Sequence, residues 1–310
     1  MATTVSAPAN NSIGLASKYL PILDEAYKVG SKTAILDTPT DYVKWVNAKT
    51  ALLFNTSSVG LGNYGRNTGF VPGDITQAWE SYTLSVDRGR SFNIDIMDVE
   101  ESVNMALTAH MGQFERLHVV PEVDAYRLAK IAGYVKSGAK TAASDPTSGS
   151  VNIATQIDDG MTYMDELEVP HEGRICFISP QAYKNLKANV TRYTLNRETV
   201  FNNNLEYYND LLLVEVPQAR FATGCILNTA TNSDDMGGFT LFGNNTNFLI
   251  VEPSAIMQVV KHLEPDVFSP KDNQEAQAWK YRYRIYHDCF VQAQKTDGLY
   301  LGLGTAIASA

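Results

Sequence analysis

At 310 residues the chain is long enough to bury a sizeable core in one or two domains. Its 44% hydrophobic and 19% charged residues exclude disorder and low complexity. A net charge of −9 excludes a protein that coats nucleic acid over its whole surface, though not a container whose wall faces nucleic acid.

The first 14 residues are small, polar and Pro-containing, and read as a flexible arm with neither a basic n-region nor an apolar signal core. Lys18–Tyr27 is expected to form a short helix with Pro21 in its first turn, and Tyr42-Val43 and Trp45-Val46 a further apolar contact. Such an arm lies across another body, a neighbouring subunit included. Ala51–Phe54 begins an extended piece that dissolves into the glycine-dense run Gly60–Gly73, expected to be a flexible loop.

Trp79–Val86 alternates, with Tyr82, Leu84 and Val86 on one face; Ser91–Met97 alternates with Phe92, Ile94 and Ile96 on one face. Asp87-Arg88-Gly89-Arg90 between them carries a turn signal, so the pattern predicts a hairpin over Trp79–Met97. Carboxylates at Asp98, Glu100 and Glu101 then open a helix, with Val99, Val103, Leu107, Met111 and Phe114 along one stripe. Pro121 is expected to interrupt it, and a second helix from Glu122 to near Gly138 carries a single buried stripe through Val123, Tyr126, Lys130, Ile131 and Tyr134.

Ala142–Ser150 is the clearest linker. A helix follows, with Ile153, Ile157, Met161, Met164 and Leu167 on one face and a stop at Val169-Pro170. Arg174–Ile178 reads as a short buried strand, and Ser179-Pro180 as the N-cap and first residue of another helix. Helix, strand, helix is a compact α+β module. Strands are expected at Leu211–Val216, Phe248–Val251, Ala278–Tyr286 and Cys289–Ala293, with loops at 202–204, 232–235 and 243–245.

Chemistry-bearing patterns are few. Gly60-Leu61-Gly62-Asn63-Tyr64-Gly65 fits G-x-G-x-x-G, but a dinucleotide site needs a helix directly after it, and Arg66–Pro72 does not supply one. His110, His118, His171, His262 and His287 have no second ligand at metal spacing. Cys176, Cys225 and Cys289 sit far apart in apolar runs and read as buried free thiols of a reducing compartment, so assembly in the cytoplasm is expected. No window approaches a membrane span. The catalytic, cofactor and metal inventory is therefore empty. Lys280, Arg282 and Arg284 alternate with Tyr281, Tyr283 and Ile285, a basic strand face that fits either the phosphates of DNA or the carboxylates of an adjacent subunit, the latter favoured by the overall acidity. Arg88 and Arg90 carry the same two readings, with docking on a neighbour's acidic patch preferred.

Asp87–Glu101, followed by Val119–Arg127, resembles the major capsid proteins of tailed phages that have the Hong Kong 97-type shell fold. The resemblance implies an α+β protomer with an N-terminal arm over 1–50 and an extended E-loop over 51–97. It further implies a peripheral domain with a spine helix over 98–145, an axial domain over 146–250, and a return to peripheral strands over 251–310. It implies hexamers and pentamers of an icosahedral head, located in the virion, that encloses DNA without sequence-specific binding. Portal, scaffolding and decoration proteins are implied partners. Trp79, Tyr82, Arg88, Arg90 and Phe92 are then the expected contacts between subunits. Two departures stand out: no lysine lies between Ala51 and Met97, so an isopeptide stitch from this loop is not expected, and only a short arm precedes the loop. Scaffolding is accordingly expected from a separate protein or an already removed piece. The rivals are a cellular nanocompartment shell of encapsulin type and an α/β enzyme using Gly60–Gly65 for a nucleotide.

Overall fold

A computed structural model describes residues 30–37, 44–45, 50–67, 69–97, 113–148, 150–190, 205–230 and 237–307. The expected arm at 1–14, the helix over Lys18–Tyr27, Tyr42-Val43, His110, most of the Val99–Arg116 helix and the loops at 202–204 and 232–235 lie outside them.

The largest core forms on a six-stranded sheet. Strands β5 (Ile175–Ile178) and β9 (Phe239–Val251) occupy its middle, and Cys176–Ile178 and Phe248–Val251 are fully buried. Continuous apolar runs of this kind belong to strands covered on both faces. β7 (Leu211–Glu215) pairs parallel with β5, β6 (Tyr207–Tyr208) extends that edge, and β8 (Ala222–Leu227) pairs with the first half of β9. Helix α2 (Ile153–Glu166) is capped by Asn152, whose side chain accepts from Ala154 N, and buries Ile153, Ile157, Met161 and Met164 at the expected spacing; Leu167 stays exposed. Helix α3 (Pro180–Val190) starts at the Ser179-Pro180 signal, with Ala182 N donating to Ser179 Oγ at 3.4 Å.

The remaining edge of this sheet corrects the expected division of the chain. Strand β12 (Leu299–Ala306) pairs antiparallel with β9, Leu299 opposite Val251, so 299–306 belongs with the sheet of 175–251 and not with the other strands after residue 251. Gly302 makes that pairing possible, because a Cβ there would lie 2.2 Å from the Phe248 ring. Gly302→Ala is expected to destabilise the chain by about 1–3 kcal/mol through overpacking, read from its urea midpoint. The 142–150 linker is no free tether either: Thr141 and Ser144 donate backbone bonds to Leu301 and Leu303, because β12 offers it an open edge.

A second sheet has the order β10 (Ile256–Phe268), β11 (Ala278–Val291), β4 (Val86–Asp95). The two strands expected near the end of the chain, Ala278–Tyr286 and Cys289–Ala293, are one, β11. Helix α1 (Val120–Tyr134) lies between this sheet and the β8–β9 ribbon, buried through Ala125, Leu128, Ile131 and Ala132 but also through Asp124, Arg127 and Ala129. The single stripe expected for this helix is therefore too narrow, since elements cover it on more than one side. Pro121 does not interrupt it. A π turn over Glu115–Val119 runs straight into α1, and its wider register carries the chain past the missing N–H of Pro121. α1 ends at Tyr134, with a separate 3₁₀ turn over Ser137–Ala139.

The arm segment 30–37 packs on its own chain. Asp124, fully buried, accepts from Ser31 Oγ at 2.8 Å, Lys32 N at 3.0 Å and Thr33 Oγ1 at 2.7 Å, and pairs with Arg220 at 3.1 Å. Arg127 pairs with Asp37 at 3.0 Å, and Leu36 enters the large core. These contacts clip the arm onto α1.

Candidate subunit interface

The projecting element is not the one the alternation predicts. Strand β3 (Ile75–Thr83) pairs along its whole length with β2 (Thr50–Ser58), Thr50 opposite Thr83 and Ser58 opposite Ile75, and β1 (Lys44–Trp45) joins β2 at the other side. β4 pairs instead with β11. Asp87–Arg90 is therefore strand, not turn. Gly89 is there for close approach: a Cβ on it would lie 2.9 Å from Tyr283 O. The hairpin is β2–β3, a ladder about 30 Å long, and the glycine-rich run is its tip.

That tip is closed by reciprocal backbone bonds between Gly65 and Gly69 at 3.2 and 2.8 Å, with Gly69 at φ +76°. Among the described residues no helix directly follows Gly65, so the strand-to-helix geometry of a dinucleotide site is not met there. Leu61, Tyr64, Phe70, Val71 and Ile75 are exposed there, Phe70 to 88%, with Tyr64 and Phe70 edge to face at 4.9 Å. Trp79, further down the arm, is 53% exposed. Clustered exposed apolar side chains of this kind make the tip a candidate interaction surface.

The root of the hairpin is fixed by a polar cluster that the sequence reading missed. Asp288 lies fully buried in β11. Its Oδ2 accepts from Ser85 N and Ser85 Oγ at 2.9 Å each, while its Oδ1 accepts from Tyr126 at 3.0 Å, Cys289 N at 2.7 Å and Lys130. Burial pushes the Asp288 carboxyl up, but the Lys130 hydrogen bond and charge and the two backbone donors outweigh it and hold it below its ordinary value. Tyr286 donates to Leu84 O at 3.0 Å, and Tyr82 packs on Phe290 at 5.2 Å. The only signal in the sequence was a carboxylate inside the apolar strand Ile285–Val291.

His287 beside it is buried and stacks edge-on against Tyr126 at 5.7 Å. Burial, then the nearby Arg127 charge, lowers its pKa from 6.5 to about 4. A neutral buried imidazole contributes stability that is present above 6.5 and lost as pH falls through 4. On the order of 3 kcal/mol is expected to disappear over that window. Comparing urea unfolding of the parent and His287→Phe at pH 7 and 4 checks it: the variant should lack that part of the slope.

Of the other expected contact residues, Arg88 and Phe92 make contacts within the chain's own body. Arg88 pairs with Glu122 of α1 at 2.8 Å and donates to Asn228 O and Gly238 O, and it sits mid-strand rather than at a tip. Arg90 is exposed beside Gly237. Phe92 packs on Phe114 and Tyr281, which covers the face expected to meet a neighbour. In β11, Tyr281, Tyr283 and Ile285 are buried as the alternation requires, while Arg282 and Arg284 are exposed. Arg282 lies over Phe268, Arg284 pairs with Asp87 at 2.6 Å, and Lys280 is buried against Glu275 at 2.6 Å, so the basic face is largely answered from within. Cys176 and Cys289 are buried and Cys225 half-buried, all three free; among the described residues no group of three metal-ligating side chains occurs.

No family model matches the chain, and no curated protein matches it. Solved structures do. A chain of the capsid of cyanophage P-SCSP1u is similar over 94% of this chain and 93% of its own at 16% identity and a TM-score of 0.66. One from the mature capsid of bacteriophage PhiM1 is similar over 98% and 95% at 13% identity and 0.65, and one of Gordonia phage Cozz over 99% and 99% at 11% and 0.59. Likeness over nearly the whole length of both chains gives this chain the fold of phage capsid proteins, the α+β shell fold of Hong Kong 97 type.

Proposed function

We propose that this chain is a non-enzymatic major capsid protein that self-assembles into the hexamers and pentamers of a phage head enclosing double-stranded DNA. The observation that carries this reading is the β2–β3 hairpin. It stands off the body with a row of exposed apolar side chains at its tip, which a second copy can cover when the contact is head to tail and closes into rings. Trp79 is the contact residue expected from the sequence that best fits this role, joined by Tyr64 and Phe70. Tyr82, Arg88 and Phe92 act from inside the protomer, by holding the hairpin root and β4 in place. The DNA contact is non-specific, consistent with the acidic net charge and a basic strand largely neutralised by its own carboxylates. Portal, scaffolding and decoration proteins complete the expected partners, and assembly takes place in the host cytoplasm.

Light scattering on the purified chain over a range of salt and pH tests the reading. Monodisperse particles of several megadaltons support it. Persistent monomer or dimer under all conditions counts against it. Nucleic acid or a single enzyme inside such particles would separate a phage head from a nanocompartment.

A further inference from the structure

We propose that Asp288 is the pin that fixes the angle at which the β2–β3 hairpin leaves the body, acting as a positioning residue for the hairpin tip. Among the described residues the ladder partners of β3 lie on β2 and those of β4 on β11, so Leu84 and Ser85 form a two-residue junction between two separate sheets. A junction that short leaves torsional freedom unless something outside it is bonded to it. Tyr286 anchors Leu84 through the Leu84 carbonyl, and Asp288 anchors Ser85: Oδ2 is given over to the N–H and hydroxyl of Ser85, while Oδ1 is held by Tyr126 and Lys130 of α1 and by Cys289 N of β11.

The carboxylate is saturated by these donors, so each one that leaves exposes a buried charge to an incomplete shell. Lys130 is fixed in turn by Tyr126 at 3.0 Å and by the Phe290 ring at 4.8 Å, which ties the pin to the same aromatic that receives Tyr82. Packing alone would be served as well by an apolar residue; directional bonds to Ser85 would not. The lever makes a small slack matter, since a rotation of about 10° at Ser85 moves the end of a ladder about 30 Å long by about 5 Å. In the shell reading, on which only this last consequence rests, that displacement decides whether neighbouring copies meet at one curvature or several.

The test places nitroxide labels at Asn67→Cys on the tip and Lys184→Cys on exposed α3, in a Cys225→Ser background with Cys176 and Cys289 fully buried. The labelled chain is diluted into excess unlabelled chain, in whatever oligomer it forms. One narrow distance is expected for the parent. Ser85→Ala and Asp288→Asn should broaden it about twofold, and Ser85→Thr, which keeps the hydroxyl, should restore it. A narrow distance in both disrupting variants overturns the proposal; should Asp288→Asn fail to fold, Ser85→Ala decides. Particle diameters provide a second arm, uniform in the parent and mixed in the variants. A parent that forms no particles defeats the shell reading, while the label distances still decide the pin.

Discussion

Asp124→Ala is expected to lower the unfolding free energy by about 3–5 kcal/mol, a large share of the ~5–15 kcal/mol by which a domain is normally stable. Asp124 is fully buried at the middle of a junction of three elements. Removing its carboxylate takes the ion-pair partner from Arg220, only 4% exposed, and deprives Ser31, Lys32 N and Thr33 of their acceptor in one step. The alanine also leaves a void between α1 and the clipped arm. Asp124→Asn keeps an acceptor and loses the charge, so it should fall between alanine and parent. Urea unfolding of the unassembled chain gives the magnitudes. Limited proteolysis gives the location, since cleavage within 30–37 should rise sharply in the alanine variant and hardly in Arg127→Lys. A midpoint shift equivalent to less than about 1 kcal/mol would show that the arm segment is a passenger on α1, not part of its fold.

The second large effect is on assembly rather than folding. Tyr64→Ser with Phe70→Ser should leave the protomer's unfolding midpoint almost unchanged, because both rings are mostly exposed and touch chiefly each other. Particles should nevertheless be lost. An aromatic anchor buried at an interface contributes about 2 kcal/mol or more, and in a closed shell every copy forfeits that contact at once. Trp79→Ser should act in the same direction and more weakly, being half covered already. Sedimentation separates the outcomes: protomers or small rings with a parent-like melt support the tip as interface. Normal particles from the double variant would mean that the apolar row faces nothing, and the contact must be sought on the exposed face of another element.

How much of this was legible beforehand varies element by element. The α+β class, the face of α2 carrying Ile153, Ile157, Met161 and Met164, the Ser179-Pro180 helix start and the alternation of Tyr281, Tyr283 and Ile285 follow from local period and capping, which residues a few positions apart decide among themselves. The hairpin failed for an equally definite reason. Alternation reports that a stretch is a strand with one buried face but carries no information on its partner. Trp79–Thr83 and Val86–Asp95 alternate correctly and still belong to different sheets, because Val86–Asp95 finds β11 nearly two hundred residues later. Gly89 read as a turn residue for the same cause: sequence shows a missing Cβ, and only the opposing Tyr283 carbonyl explains why it is missing.

The sequence by itself determined the α+β class, a glycine-rich, lysine-free extended stretch and an acidic net charge, since those are properties of composition and neighbours. Tertiary structure alone decided which strand the projection uses, that Arg88 pairs with Glu122, and that Asp124 and Asp288 hold the arm and the hairpin root. Both carboxylates are unremarkable as letters. They become structural only when residues about 90 and 200 positions away bring their donors to them, and a buried charge is stable only where such donors meet.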